Sequence, residues 1–285
     1  MIPAPFEYYK ANSTDEALKL IRDFGEEAKF LAGGQSLIPM MKVRFARPTK
    51  LIDISKVQEL RYISLDGDYI KIGGLTTHRE LEKSSIIIEK IPVLAHCAHE
   101  IADIQIRNVG TIGGSLAHAD PSADYPPVVL ALNAVIVAKS IAQEREIPIN
   151  DFFLEAFTAE LRPDELLVEI KIPVMKPNEK AAYIKIGHPA TGFSVVNCAV
   201  KITLDKEKIE KARVAFGGFV TVPYLDEKVG EFLIGKPANI DTITQASELV
   251  AEGREVIGDY YADADYRRHL AKSVFVRVMK KALEI

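Results

Sequence analysis

Two glycine-paired segments limit what this chain can fold into more than any other feature. AGGQSL occupies residues 32–37, after the strand-like apolar run AKFLA, and TIGGSLA occupies residues 111–117. A Gly-Gly pair removes two Cβ atoms, so backbone N–H groups can come close to an anion. If the next residues open a helix, its unpaired N–H groups add to the attraction. Ser36 and Ser115 supply hydroxyls, and Gln35 supplies an amide. One such segment alone is equally well read as a tight turn. Two of the same kind point to a long ligand with a central pyrophosphate, a dinucleotide lying between two lobes. Neither segment is G-x-G-x-x-G, and neither is followed by the Lys-Ser or Lys-Thr of a Walker A loop. The expected fold is therefore a dinucleotide-binding one outside the Rossmann group.

The flanking sequence gives the frame. STDEALKLIRDFGEE reads as a helix: Ser13 and Glu16 have capping-box spacing, Ala17, Leu18, Ile21 and Phe24 form the apolar face, and Gly25 ends it. AKFLA predicts a buried strand and KLIDIS another, making a small α/β unit. YISLDGDYIKIGG predicts a hairpin around Asp66 and Gly67. Residues 78–102 read as mostly helical, broken once at Pro92. PPVVLALN predicts a helix, AVIVAKS a strand, and LLVEIKIPV an alternating strand ending in proline. MKPNEKAA is the best linker candidate. Beyond it, AAYIKIG, SVVNCAVKITLD and KARVAFGGF predict consecutive antiparallel strands. Two helices follow, IDTITQASELVAEG and a last one with Leu270, Val274 and Val278 on one face. The pattern divides the chain into an N-terminal α/β region in two lobes and an α+β C-terminal domain.

Composition excludes several classes. At 285 residues and 48% hydrophobic, the chain can bury a proper core, and a net charge of −4 gives no electrostatic footprint for nucleic acid. Only two cysteines are present, Cys97 and Cys198, too few for a disulfide framework or an iron–sulfur cluster built by this chain alone. This usage predicts a reducing, cytoplasmic compartment. The N-terminus shows no signal-peptide pattern, and VVLALNAVIVA is too short to span a bilayer.

AGGQSLIPMMKVRFARPTKLIDIS and IRNVGTIGGSLAHADPSADYPPVVLALNA resemble the two FAD-binding signatures of the medium, flavoprotein subunit of the molybdenum hydroxylases. That family includes carbon monoxide dehydrogenase, xanthine dehydrogenase and archaeal aldehyde (glyceraldehyde) oxidoreductases. The resemblance runs the whole chain, through ELLVEIKIP to DADYRRHLAKSVFVRVMKKAL. It implies an α+β protein: a PCMH-type (vanillyl-alcohol-oxidase-like), two-lobed FAD-binding domain over residues 1–174, with lobes at about 1–56 and 57–174, then an α+β C-terminal flavoprotein domain over 179–285.

The resemblance also implies site residues. Ala32, Gly33, Gly34, Gln35, Ser36 and Leu37 would wrap the pyrophosphate of FAD, and Thr111, Gly113, Gly114 and Ser115 form the second loop. His118 and Asp124 match positions facing the cofactor, Asp124 as an acceptor for a ribose or ribityl hydroxyl. Leu167 and Lys185 match positions near the isoalloxazine, where a lysine favours reduced, anionic flavin. Phe193 matches an aromatic near the ring. Plainer readings stand beside these. Asp124 could cap the following helix, Lys185 could face solvent, and Phe193 could be core. His96, Cys97, His99 and Glu100 suggest a metal, but on a helix Cys97 points away from the two histidines, and no metal site is assigned. Tyr260, Tyr261 and Tyr266 read as packing or interface residues.

The expected function follows. No catalytic residue is assigned here. A large subunit would hold the molybdenum cofactor and a small subunit two 2Fe-2S clusters. Electrons would pass from these to FAD on this chain and on to an external acceptor. An aldehyde-type complex is the leading reading. A carbon monoxide or xanthine-type dehydrogenase, a self-contained flavin oxidoreductase and a flavin-free assembly module are the alternatives.

Overall fold

The computed structural model describes all 285 residues. The first lobe contains β1 (Glu7–Lys10), α1 (Thr14–Phe24), β2 (Ala28–Leu31), α2 (Leu37–Lys42) and β3 (Lys50–Asp53). Its strands are parallel, in the order β1-β3-β2. Ser13 caps α1 by accepting from the Glu16 amide. The Glu16 carboxylate, however, accepts from the Asn12 amide at 2.8 Å, so the box closes one residue earlier than its spacing predicts. Gly25 ends α1 at φ +60°. Ala17, Leu18 and Ile21 are buried, and Phe24 is half-buried. AKFLA is not the buried strand expected: β2 is an edge strand, with Phe30 and Leu31 half-exposed at the approach to the first glycine loop.

The second lobe runs through β4 (Ile63–Asp66), β5 (Tyr69–Gly73), α3 (His78–Lys83), α4 (Ser85–Lys90), α5 (Pro92–Glu100), α6 (Ile104–Arg107), α7 (Ile112–His118), α8 (Tyr125–Leu132), β6 (Val135–Lys139), β7 (Glu144–Pro148), β8 (Phe153–Glu155), β9 (Thr158–Ala159) and β10 (Leu166–Pro173). Its main sheet is antiparallel, in the order β4-β5-β10-β6-β7. The hairpin expected at Asp66 and Gly67 is present, with Gly67 at φ +57°. The helical stretch breaks twice, not once. Ser84 ends α3 and caps α4 through its hydroxyl, and Pro92 takes the first turn of α5, where its missing N–H costs nothing.

The third unit contains β11 (Glu179–Gly187), β12 (Ser194–Asp205), β13 (Lys208–Gly217), β14 (Tyr224–Leu225), α9 (Glu227–Leu233), α10 (Ile240–Ser247) and α11 (Ala264–Leu283). Its four strands form an antiparallel sheet in sequence order. The linker is shorter than MKPNEKAA suggests, because β11 already begins at Glu179. The buried face of α11 is Ala271, Val274, Phe275, Val278, Met279 and Ala282, whereas Leu270 is only half-buried.

The units share their cores. Ala182, Cys198, Val214 and Phe216 join the core under α9 and α11, while the alternating neighbours Tyr183, Ala199 and Ala215 join the core of the second lobe. Tyr183 pairs with Ala199, and Ala199 with Ala215, so one register places all three on the face that meets α8. Lys185 and Asn197 are also cross-strand partners on that face. The strand period of two thus aims Tyr183, Lys185 and Asn197 at the second lobe.

Candidate functional site

The first glycine loop is an open array of backbone donors. The amides of Gly33, Gly34, Gln35 and Ser36 donate to no protein acceptor. Gly34 sits at φ +67°, the alternation of backbone hand that turns successive N–H groups to one side. The Gln35 side chain folds back to donate to the Gly33 carbonyl at 3.1 Å, which fixes the loop and leaves its amides outward. Ala32, Ser36 and Leu37 line the same turn and are half-buried.

The second glycine segment is built differently from the first, against the expectation of two equivalent loops. Thr111 caps α7, and Gly113 and Gly114 lie inside its first turn. Its amides are already used: Ile112 N–H donates to Thr76 O, Gly113 N–H to Gly74 O, Gly114 N–H to Thr111 Oγ1 and Ser115 N–H to Thr111 O. This segment offers a polar wall, with the half-buried Ser115 and exposed Gly114, and leaves only the N–H of the buried Thr111 at its start without a protein acceptor.

Glycine here serves backbone packing. A Cβ on Gly113 would come within 2.5 Å of Gly74 O, and one on Gly74 would collide with Leu167 O. Gly74 thus seats α7 on β10, while its neighbour Gly73 presses on the Leu60 carbonyl. The I-G-G shared by IGGLTT and TIGGSLA is the available signal for this pair. Gly33 presses on Val109 and Gly110, just ahead of Thr111, so the two glycine segments abut. His78 lies beneath Gly110, with its Nδ1 3.0 Å from the Tyr125 hydroxyl.

On the far side of this connection, Ala102, Asp103 and Ile106 form one wall of a cavity of about 350 Å³. Lys185, His188 and Gly192 form the opposite wall.

Asp124 and Lys185 form a buried pair, Nζ to Oδ1 2.9 Å. Asp124 also accepts from the Tyr183 hydroxyl at 2.6 Å. Lys185 further donates to Glu100 O at 2.7 Å and to Gly192 O at 3.1 Å. Asp124 makes no capping bond to α8, and Lys185 does not face solvent, so both plainer readings fail. Burial pushes the Asp124 carboxyl up, against the opposing pull of Lys185 and Tyr183. Nearby, Asn197 donates to Ala123 O at 2.9 Å and Gly218 to Pro121 O at 2.8 Å, clamping residues 121–123 to the third unit.

The remaining expected residues scatter. His118 is half-buried, with its ring 5.2 Å from that of Phe157. Burial pushes its pKa down. The Leu167 side chain is buried in the core of the second lobe, and its carbonyl is what meets Gly74. Phe193 is 51% exposed on the turn between β11 and β12, so it is not core. His96 and His99 go to different partners, Lys281 and Glu82. Tyr261 packs 4.4 Å from the His188 ring, and Tyr260 stands almost wholly in solvent.

Residues 4–175 match the family model described as the FAD binding domain in molybdopterin dehydrogenase, and residues 181–282 match the CO dehydrogenase flavoprotein C-terminal domain. The chain belongs to the flavoprotein subunits of the molybdenum hydroxylases. It is 35% identical to the 6-hydroxypseudooxynicotine dehydrogenase complex subunit alpha of Paenarthrobacter nicotinovorans, over 99% of this chain and 96% of that one. It is 34% identical to the glyceraldehyde dehydrogenase medium chain of Sulfolobus acidocaldarius, over 99% of both. The structure superposes on carbon monoxide dehydrogenase from Hydrogenophaga pseudoflava with a TM-score of 0.97 at 35% identity, covering 100% of this chain and 99% of that one. The flavoprotein subunit therefore carries an FAD-binding domain. The donor set fits that cofactor, since free amides suit a pyrophosphate and the wall of α7 is polar without being charged. No helix is long and apolar enough to cross a membrane.

Proposed function

We propose that this flavoprotein subunit passes electrons within a molybdenum hydroxylase complex of the aldehyde, glyceraldehyde-oxidising type. A small 2Fe-2S subunit and a large molybdenum subunit would be its partners, and an external acceptor would take the electrons. The carrying observation is the row of free amides at Gly33, Gly34, Gln35 and Ser36, which would hold the pyrophosphate of FAD. Thr111, Ser115 and Gly114 would wall the cofactor, and the cavity beside Lys185 would take its ring end. When bound, FAD supplies the exchange between one-electron and two-electron transfer. The chain's own residues position it. Asp124 balances the Lys185 charge, so Lys185 would exert a weaker positive field on the ring than a free lysine. The whole-length similarity to a glyceraldehyde dehydrogenase medium chain is compatible with the substrate reading, and that to a carbon monoxide dehydrogenase medium chain, at 35% identity, is as close. The free, buried thiols of Cys97 and Cys198 support a cytoplasmic setting.

The test begins with the absorbance spectrum of the purified chain, followed by acid release and chromatography of the chromophore. Released FAD is expected. A colourless chain that takes up no added FAD, alone or with its partner subunits, would sink the reading. Glyceraldehyde turnover by the assembled complex, with carbon monoxide and xanthine as comparison substrates, tests the substrate class.

A further inference from the structure

Arg107 ends α6, between the cavity wall and the second glycine segment. Its side chain is 11% exposed. Nη1 donates to the carbonyls of Ile101 and Ala102 at 3.0 and 3.1 Å. Ala102 lies at φ +40°, a backbone state that an alanine holds only when its surroundings enforce it, and it forms part of the cavity wall. Nε faces Glu82 Oε2 at 3.3 Å, and neither atom has another partner. Glu82 is buried on α3, where its other oxygen takes Arg79 at 3.1 Å and His99 at 3.2 Å. Burial would raise the Glu82 carboxyl, but the bonds from His99 and Arg79 and the Arg107 charge outweigh it and hold it at about 2. In the next turn, Ile106 O accepts from Gly110 N–H at 2.7 Å, and Val109 and Gly110 are the backbone against which Gly33 packs.

Arg107 therefore stands between the two ends of the site. Towards the cavity its side chain holds the turn at Ile101 and Ala102 directly. Towards the loops it acts through α6, whose end, tied to Glu82 by the guanidinium, carries the Ile106 carbonyl that holds Gly110. We propose that Arg107, anchored by Glu82, is a positioning residue that sets the distance between the pyrophosphate loop and the ring-end cavity. This rests on the reading that the loops bind FAD. Arginine is the fitting residue because its planar fork reaches two carbonyls and a carboxylate together, which an ammonium on a flexible stem cannot do in one geometry.

The test titrates FAD into the flavin-free chain by flavin fluorescence and records the visible circular dichroism and midpoint potential of the bound flavin. Arg107→Met is expected to weaken FAD binding at least about tenfold and to alter both spectrum and potential, since preorganisation is lost. Arg107→Lys keeps the charge and serves if methionine prevents folding; it is expected to weaken binding about threefold or more. The control is Arg145→Met, which breaks the pair with the buried Glu165 elsewhere in the second lobe and should lower stability while leaving flavin affinity and spectrum unchanged. If wild-type binds FAD and the soluble Arg107 variants match it within about twofold, or if Arg145→Met weakens binding equally, the inference is overturned and the FAD reading stands. If wild-type itself binds no FAD, it is that reading which fails.

Discussion

Gly33 lies so close to Val109 that a Cβ there would collide with the Val109 carbonyl oxygen and come 2.8 Å from the Gly110 α-carbon. This contact between two backbones joins the first lobe to the second at the two glycine segments. The residue needed for it is adjacent to the one needed for the turn, Gly34 at φ +67°.

Gly33→Ala and Gly114→Ala should therefore behave differently. The first must displace backbone, at a cost of about 2–3 kcal/mol, and should separate the loops and lose FAD. The second meets the Thr111 hydroxyl at 2.8 Å and Ala32 Cβ at 3.9 Å, with no backbone in the way, and should cost no more than the Thr111 cap, about 1 kcal/mol. Urea denaturation of the flavin-free chains reads the difference. Equal losses would show that the loops do not meet as described.

Gly74→Ala tests the seat under α7. Its Cβ would collide with Leu167 O, and Gly113 packs on its other side. A loss of about 2–3 kcal/mol is expected, together with loss of retained FAD, although Gly74 itself offers the cofactor nothing. Retention of FAD at full occupancy by a folded Gly74→Ala chain would remove this residue from the account.

Much of this was readable from the chain. The hairpin at Gly67 and the cap at Ser13 follow from local chemistry that acts within a few residues, whereas the parallel pairing of β3 with β1 and β2 does not. The glycine segments were found, but their difference was not. Whether an amide is free depends on what lies opposite, and Thr76 and Gly74, which occupy the amides of Ile112 and Gly113, are distant in sequence. The same applies to Asp124 and Lys185. Each has a plausible local role, and only the register that aims Lys185, Tyr183 and Asn197 at the second lobe brings them together. Ser84 shows the local limit: a serine that ends one helix can cap the next, so a continuous apolar pattern can hide a break.

The pair Asp124–Lys185 yields a non-additive prediction. Asp124→Asn or Lys185→Met leaves the other charge buried without its partner, at about 3–5 kcal/mol each. The double variant removes both charges and should cost clearly less than the sum. Its measured stability, set against the two single variants, gives the coupling. Additive losses would mean that Lys185 is held by the Glu100 and Gly192 carbonyls alone.

His78 sets an acid limit. Burial, aided by the Arg107 charge, pulls its pKa down to about 4, so it is neutral in the folded chain at neutral pH. In the unfolded chain it takes a proton near its ordinary value of about 6.5. Between these values the unfolded state binds more protons, so stability is full above about pH 6.5 and falls as pH drops towards 4. The full shift corresponds to about 3 kcal/mol. His96 and His118 are also depressed, and both act with the same sign. Glu82, held at about 2, adds its own loss only below about pH 4.5. The informative quantity is thus the difference between wild-type and His78→Gln, whose amide can still reach the Tyr125 hydroxyl. Urea midpoints from pH 7.5 to 4 should show a shallower decline in the variant, with the gap confined to that window. Parallel pH curves would show that His78 takes its proton without cost, and that the helix beneath Gly110 is more open to water than the buried ring requires.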